Sequence, residues 1–366
     1  MAVKQFFESI KDHSIGKHLV LDRYLKAWFP ILARSSSRLL FIDGFAGSGQ
    51  YENGHFGSPI IAIDAVLEHH DKLLKGKEVV FFFIEPDKKR LDHLKQLINS
   101  RYQNLPDKIT VKYSDKHFDN TITELLDYID EQNKRLEPCF AMIDPFGVSG
   151  APMDVVRRLL ENPKAEIYFS FMYQFINRFK STPAFESKLT SLYGTDEWKA
   201  ALDINCTQER KGFLINLYKM QLKKTPGTQV VHFDLFTGNS HVYSIFFASK
   251  SWLGSDRMKE AIWKIAPDGD FIYRGSATST LDLAAPEFLS LINAITDKFQ
   301  GQWIDIKRVQ EFVGSDQTDY HGAQIRKNAL KEIEKQGLLE IHPEHSRKKN
   351  YTYPDGIKFR ISAPLL

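Results

Sequence analysis

Two short segments of the chain carry residue types that do chemistry, at spacings that would let them. Asp43-Gly44-Phe45-Ala46-Gly47-Ser48-Gly49 closes the apolar run 38–42, and Asp144-Pro145-Phe146-Gly147 closes the apolar run 140–143. Open parallel sheets bind ligands in the crevice at their strand ends. A cofactor loop beside a polar reaction loop therefore implies group transfer.

Glycines 44, 47 and 49 let the first loop turn tightly and approach a ligand. They spell GxxGxG, not the GxGxxG of a dinucleotide site, and the chain has no GxxxxGK[ST]. An aspartate directly before them suits a ligand with an amino-acid end and no pyrophosphate, because a strand-tip carboxylate can hold an ammonium and would repel diphosphate. Asp43, Gly44, Phe45, Ala46, Gly47 and Gly49 are the candidate cofactor residues; a structural turn without a ligand is the alternative. Glu85, after the run VVFFFI, is placed to accept both ribose hydroxyls of an adenosine. Asp87 is the better helix cap. Asp115, after a third strand, is a candidate for the adenine amino group or an ordinary cap. These residues point to S-adenosylmethionine.

In the second loop, Pro145 cannot continue strand pairing because it has no N–H. The Asp144 carboxylate and the Pro145 carbonyl could both accept hydrogens from an exocyclic amine, and Phe146 could stack on a base. Alignment of this kind supplies much of a rate. The alternative is a polar strand-end turn with Phe146 in the core. No G-x-S-x-G elbow offers hydrolytic chemistry, and no metal site is expected. A nucleotide-processing metalloenzyme using Asp144 with Asp43 or Glu85 would leave the glycines without a purpose.

These loops need a sheet to hold them. Strand signals fall at 38–43, 79–84, 108–113, 139–143 and 165–170, and helical signals at 14–33, 58–70, 87–99, 117–131 and 152–161. Continuous apolar strands between amphipathic helices indicate a parallel sheet covered on both faces. Ser58 and Pro59 read as the cap and first residue of the 58–70 helix. Residues 171–207 read as an aromatic-rich insertion, followed by a helix at 208–223, a hairpin of strands 229–235 and 241–249, and a helix at 254–266. Residues 1–267 would form this first domain, 268–285 a linker, and 286–366 a second domain. The second domain shows helices at 286–298, 306–312 and 321–336, a strand near 338–341, and a last strand at 357–362. That is the winged-helix order, with Gly337 as a helix C-cap.

Composition bounds the rest. The 366 residues are 42% hydrophobic, with 27 phenylalanines, which excludes a solvated disordered chain. A formal charge of +3 leaves any nucleic-acid argument to local clusters. Cys139 and Cys206 alone cannot build a thiolate zinc site. Neither a signal peptide nor a membrane-spanning run is evident, so the expected compartment is the cytoplasm, with no membrane partner.

Candidate substrate residues lie in three places. Lys17, His18 and Tyr51 would face the cleft. Tyr173, Asn177 and Arg178 would line a target pocket, although Phe171, Phe175 and Phe179 at four-residue spacing read first as packing. In the winged helix, Gln324, Arg326, Lys327 and Lys331 on the third helix and Arg347, Lys348 and Lys349 in the wing could read bases or hold phosphates. Protein docking is the alternative there.

The chain resembles the Rossmann-like class I S-adenosylmethionine-dependent methyltransferases through 43–49, Glu85 and 144–146. The last of these is similar to the DPP[YF] motif of amino-methyltransferases, with one proline and the aromatic one position early. It also resembles the three-Cys-motif partner protein family through Lys17-His18, Arg23-Tyr24-Leu25, FIDGFAGSGQYENGHFGSP, FIEPD, AMIDPFG and FMYQFINRF. That resemblance implies a cytosolic protein whose partner is a three-cysteine protein similar to radical S-adenosylmethionine proteins. The expected activity is methyl transfer to an exocyclic amino group of a nucleobase in DNA or RNA. A non-catalytic nucleic-acid- or partner-binding subunit with the same fold is the alternative. DNA versus RNA, the base and the oligomeric state stay open.

Overall fold

The computed structural model describes residues 12–237, 240–267, 271–273, 288–347 and 349–362. The hairpin tip at 238–239, most of the expected linker, and Lys348 lie outside the described residues. Contacts separate the described residues of Met1–Ser251 and Ile272–Thr280 from those of Trp252–Phe271 and Leu281–Leu366.

In the first unit, helix α1 (Asp12–Ala33) precedes β1 (Arg38–Asp43), α2 (Ser58–His69), β2 (Glu78–Ile84), α3 (Lys88–Arg101) and β3 (Ile109–Ser114). Then come α4 (Phe118–Glu131), β4 (Cys139–Ile143), α5 (Met153–Glu161) and β5 (Ala165–Phe171). The 171–207 segment supplies α6 (Tyr173–Phe179), α7 (Pro183–Tyr193) and a 3₁₀ turn, before α8 (Thr207–Lys223), β6 (Gln229–Thr237) and β7 (Ser240–Ser249). Among the described residues the sheet runs β3-β2-β1-β4-β5-β7-β6, with β7 antiparallel to both neighbours, and Ile272–Tyr273 pairs parallel with β6 as an eighth edge strand. This is a doubly wound, Rossmann-like α/β sheet, the class of fold expected from the sequence. Ile272 and Tyr273, within the expected linker 268–285, occupy the open edge of β6 and satisfy backbone groups there.

Strand alternation sorts the core into two layers. One face carries Phe41, Phe81, Phe83, Phe140 and Tyr168 against Tyr24, Trp28 and Phe29 of α1; Phe41 and Phe140 stack at 5.8 Å. The other carries Ile42, Ala141, Ile143, Ile167 and Phe169 against α4, α5 and α8. β4 and β5 are buried along their whole length, so their carboxyl ends are fixed points. α1 reaches one of those ends with its early turns.

Helix α9 (Trp252–Trp263) groups by its contacts with the second unit. The buried Lys259 ammonium donates to the carbonyl oxygens of Val313, Ser315 and Thr318 at 2.5, 2.6 and 2.9 Å. Burial lowers its pKa to about 8. The Gly322 N–H donates to Asp256, and the Trp263 indole donates to the Asp319 carbonyl. Then α10 (Leu289–Phe299), β8 (Ile304–Asp305), α11 (Ile306–Gly314), a helical stretch over 322–335, β9 (Leu339–Ile341) and β10 (Lys358–Ile361) complete it. The expected two-strand wing is a three-stranded sheet, because Ile304 and Asp305 pair with Phe359 and Lys358. The 322–335 helix is interrupted by a π-helical segment, Ile325–Leu330. Gly337 caps its end at φ +72°.

At the foot of β5, the buried Glu166 accepts hydrogen bonds from Tyr24 at 2.6 Å and Ser249 at 2.9 Å. Burial nevertheless raises its pKa from 4.5 to about 7. A folded-state pKa above the unfolded one means that Glu166 contributes most below pH 4.5 and loses that contribution as pH rises towards 7. The thermal midpoint of Glu166→Gln is therefore expected to fall less between pH 5 and 7.5 than that of the parent chain. Parallel midpoint-versus-pH curves would contradict the burial argument.

Candidate active site

The tips of β1 and β4 open into one cleft of about 430 Å³. It is lined by His18 from α1; Phe45, Ala46, Gly47, Ser48, Gly49, Gln50 and Tyr51 from the loop after β1; Gly57 and Ser58 before α2; Arg90 from α3; and Asp144 and Phe146 after β4.

Backbone wiring shapes the first loop. The Gly44 N–H donates to the Met142 carbonyl at 2.9 Å and the Ala46 N–H to the Ile84 carbonyl at 3.0 Å. The Phe45 N–H donates to Asp43 Oδ1 at 3.1 Å, and the Gly47 N–H to Glu85 Oε2 at 3.0 Å. The amides of 44–47 thus have internal acceptors. Gly49 sits at φ +77°, and a Cβ there would lie 2.5 Å from Leu94.

Asp43 is not where its sequence position suggested. Its side chain has no exposure, and Oδ2 accepts the Ser58 hydroxyl at 2.5 Å. Burial raises its pKa to about 7 despite both hydrogen bonds. Asp43 staples the loop to the start of α2; its carboxylate does not line the cleft. Ser58 is correspondingly its partner and not a helix cap, which is the role of Gly57. Glu85 is a second staple, with the Asp87 N–H on Oε1 at 2.9 Å and Gly47 on Oε2. Each oxygen keeps acceptor capacity beside the loop. Burial raises its pKa. Asp87 caps α3, accepting from Lys89 and Arg90. Asp115 is exposed after β3 and does not reach the cleft.

The second loop is anchored by a charge. Lys17 Nζ donates to Asp144 Oδ2 in a close ion pair whose side chains are 4% and 25% exposed. Burial opposes ionisation of Asp144, but the charge and hydrogen bond of Lys17 outweigh it and hold its pKa below the ordinary value. Burial likewise opposes the Lys17 charge, yet Asp144, Tyr51 and Tyr243 leave its pKa raised. The Tyr243 ring lies 5.6 Å from the ammonium, and the Tyr168 hydroxyl donates to the Lys17 carbonyl at 3.0 Å. His18 is buried, and its Nδ1 has no hydrogen-bond partner among the described residues. Burial, helped by the Lys17 charge, lowers its pKa to about 3, so the imidazole is neutral. Its ring meets that of Tyr51 at 5.8 Å. Pro145 is buried, whereas Phe146 is 79% exposed at the rim, not packed in the core.

The structure therefore gathers His18, Tyr51, Asp144, Phe146 and the glycine loop, with Lys17 behind Asp144. It does not gather the α6 trio. The Tyr173 hydroxyl donates to the Thr207 carbonyl at 3.3 Å, Asn177 accepts from Arg210 at 2.9 Å, and Arg178 is exposed. Arg90 was missed, although its place one turn into the helix after Glu85 was a readable signal.

In the second unit several expected contact residues are committed elsewhere. Gln324 is buried and accepts the His321 N–H in a capping box. Arg347 forms a buried bidentate pair with Glu334, with the Tyr353 hydroxyl on the same carboxylate at 2.5 Å. The Arg326 guanidinium donates to the Tyr353 carbonyl at 3.3 and 3.2 Å. Lys327 and Lys349 are exposed, and Lys331 lies 5.9 Å from the Tyr351 ring. Among the described residues no cluster of three or more His, Cys, Asp or Glu could hold a metal ion, and no helix is long and apolar enough to cross a membrane.

No family model and no curated protein matches this chain. Among solved structures, an O-methyltransferase from Bacillus cereus in complex with SAH shares 14% identity over 62% of this chain and 80% of its own, with a TM-score of 0.34. The O-methyltransferase TomG from Streptomyces achromogenes, in complex with SAM, shares 11% over 67% and 92%, at 0.33. The METTL16 MTase domain shares 13% over 62% and 66%, at 0.29. None of them assigns a residue or an activity to this chain.

Removing one partner of a buried ion pair strands the other charge. Lys17→Met is expected to lower unfolding free energy by about 3 kcal/mol, and Lys17→Met with Asp144→Asn to recover most of it. Urea unfolding of the four chains checks this; additive losses would contradict a direct pair.

Proposed function

We propose that the protein is an S-adenosylmethionine-dependent methyltransferase acting on an exocyclic amino group of a nucleobase. The observation that carries this reading is the ionised Asp144, followed by an exposed Phe146, in the same cleft as a glycine loop whose amides at 44–47 already have acceptors. The donor set fits an adenosyl amino acid better than a dinucleotide. Glu85 has acceptor capacity for ribose hydroxyls, the backbone of 45–47 offers a wall whose amides are already bonded, and the space above Gly47 is open. Bound S-adenosylmethionine would supply an electrophilic methyl group.

The residues of this chain do the rest. Asp144, kept ionised by Lys17, accepts an N–H of the target amine and turns the nitrogen lone pair outward. The Pro145 carbonyl is the second acceptor. Phe146 offers a free ring face to the base. The neutral His18 imidazole lines the same cleft, and the proton that a methylated amine must release passes to solvent. The exposed Lys327 and Lys349, with Lys331, support nucleic-acid contact by the winged helix. The three-Cys-motif resemblance supports a radical-S-adenosylmethionine-like protein partner.

A second reading is a non-catalytic subunit of the same fold that binds nucleic acid or a partner. The satisfied Lys17–Asp144 pair favours it, because a structural ion pair needs no substrate.

Methyl transfer from tritiated S-adenosylmethionine into mixed DNA and RNA separates the two. Asp144→Asn is expected to lower transfer by about a hundredfold or more, since misplacing the amine forfeits alignment, while cofactor affinity stays within a few-fold. Full activity of Asp144→Asn would remove Asp144 from the reaction centre. No transfer by the parent chain or its co-purified complex would favour the subunit reading.

A further inference from the structure

We propose that α6 and α7 form a docking ledge for a single-stranded polynucleotide, leading one base to Phe146; this deepens, and rests on, the nucleobase reading above. The ledge starts at the cleft. Phe146 is 79% exposed on its rim. Gly147 turns there at φ +92° and lies against Phe175, whose ring tip would be 3.3 Å from a Cβ. Phe175 meets Phe179 at 4.5 Å, and Phe179 stacks on Phe185 at 4.8 Å and 25°. None of these four rings is fully buried.

The charges beside the rings are mostly positive. Between 172 and 190 the charged residues are Arg178, Lys180, Glu186 and Lys188. Glu186 is paired with Lys199 at 2.6 Å. Arg178 and Lys188 are exposed, and the Lys188 ammonium lies 5.1 Å from the Phe185 ring. Partly exposed aromatic rings, led by the open Phe146 and edged by cations, are what unpaired strands use, through base stacking and phosphate contacts. A duplex keeps its base faces inside, and an unpaired base enters a reaction pocket at the least unstacking cost. Continuity with the candidate active site distinguishes this surface from an isolated apolar patch.

The test is fluorescence anisotropy of the full chain with labelled 20-nucleotide DNA and RNA single strands and a DNA duplex of the same sequence, at several salt concentrations. Arg178→Glu with Lys188→Glu is expected to weaken single-strand binding at least fivefold and to reduce the salt slope by about 1.4, at roughly 0.7 per phosphate contact. Phe179→Ala with Phe185→Ala is expected to weaken it about tenfold, from stacking losses of about 1–3 kcal/mol per base, with Phe→Tyr at both positions restoring it. Duplex affinity should change less than twofold in every variant. Because the charge variants alter only exposed side chains, they decide the matter even if the alanine pair fails to fold. Unchanged single-strand affinity in the charge variants, or equal losses for strand and duplex, would overturn the ledge. A parallel S-adenosylmethionine titration keeps the two claims apart. Strand binding that the ledge variants weaken, without cofactor binding, upholds the ledge and sinks methyl transfer; cofactor binding without strand binding does the reverse.

Discussion

The structure of the cleft depends on one buried ion pair. Lys17 and Asp144 are 127 residues apart, one on the leading helix and one at the tip of a central strand. Neither charge would survive burial alone, because desolvation opposes both. Together they pin α1 across the sheet and keep a carboxylate ionised beside open space. The same ammonium helps hold the neighbouring His18 neutral. One contact therefore sets the charge state of a carboxylate and of an imidazole that line one cavity.

Around that pair the fold supplies rigidity. The phenylalanine layer between α1 and the sheet fixes the helix that carries Lys17, and the fully buried β4 and β5 fix the strand end that carries Asp144. Asp43 and Glu85 act one step further out. Their carboxylates hold the glycine loop against α2 and β2, so its shape is decided by the protein before any ligand arrives. A preformed wall of this kind reduces what binding must organise.

The elements were largely legible in the sequence, because five apolar runs of strand length alternate with amphipathic helices. What was not legible was which polar groups were already satisfied. Asp43 looked like an ammonium acceptor, yet its partner Ser58, 15 residues on, turns it inward. Arg347 and Gln324 looked like nucleic-acid contacts, yet Glu334 and the His321 amide occupy them. Lys259 sent α9 to the second unit through carbonyls more than fifty residues away. Sequence shows residue type and local spacing; it does not show whether a charge has found a partner across the fold. Glu85 and Phe146 were readable because their places at strand tips follow from periodicity alone.

The central claim is that the cleft takes an adenosyl amino acid and places its reactive group beside Asp144. Calorimetric titration of the full chain with S-adenosylmethionine, S-adenosylhomocysteine, ATP and NAD tests it most directly. The account predicts saturable binding of the first two at one site per chain, weakened strongly by Gly49→Val, with negligible heat from the pyrophosphate-bearing ligands. Binding of ATP or NAD in preference to S-adenosylmethionine would contradict it.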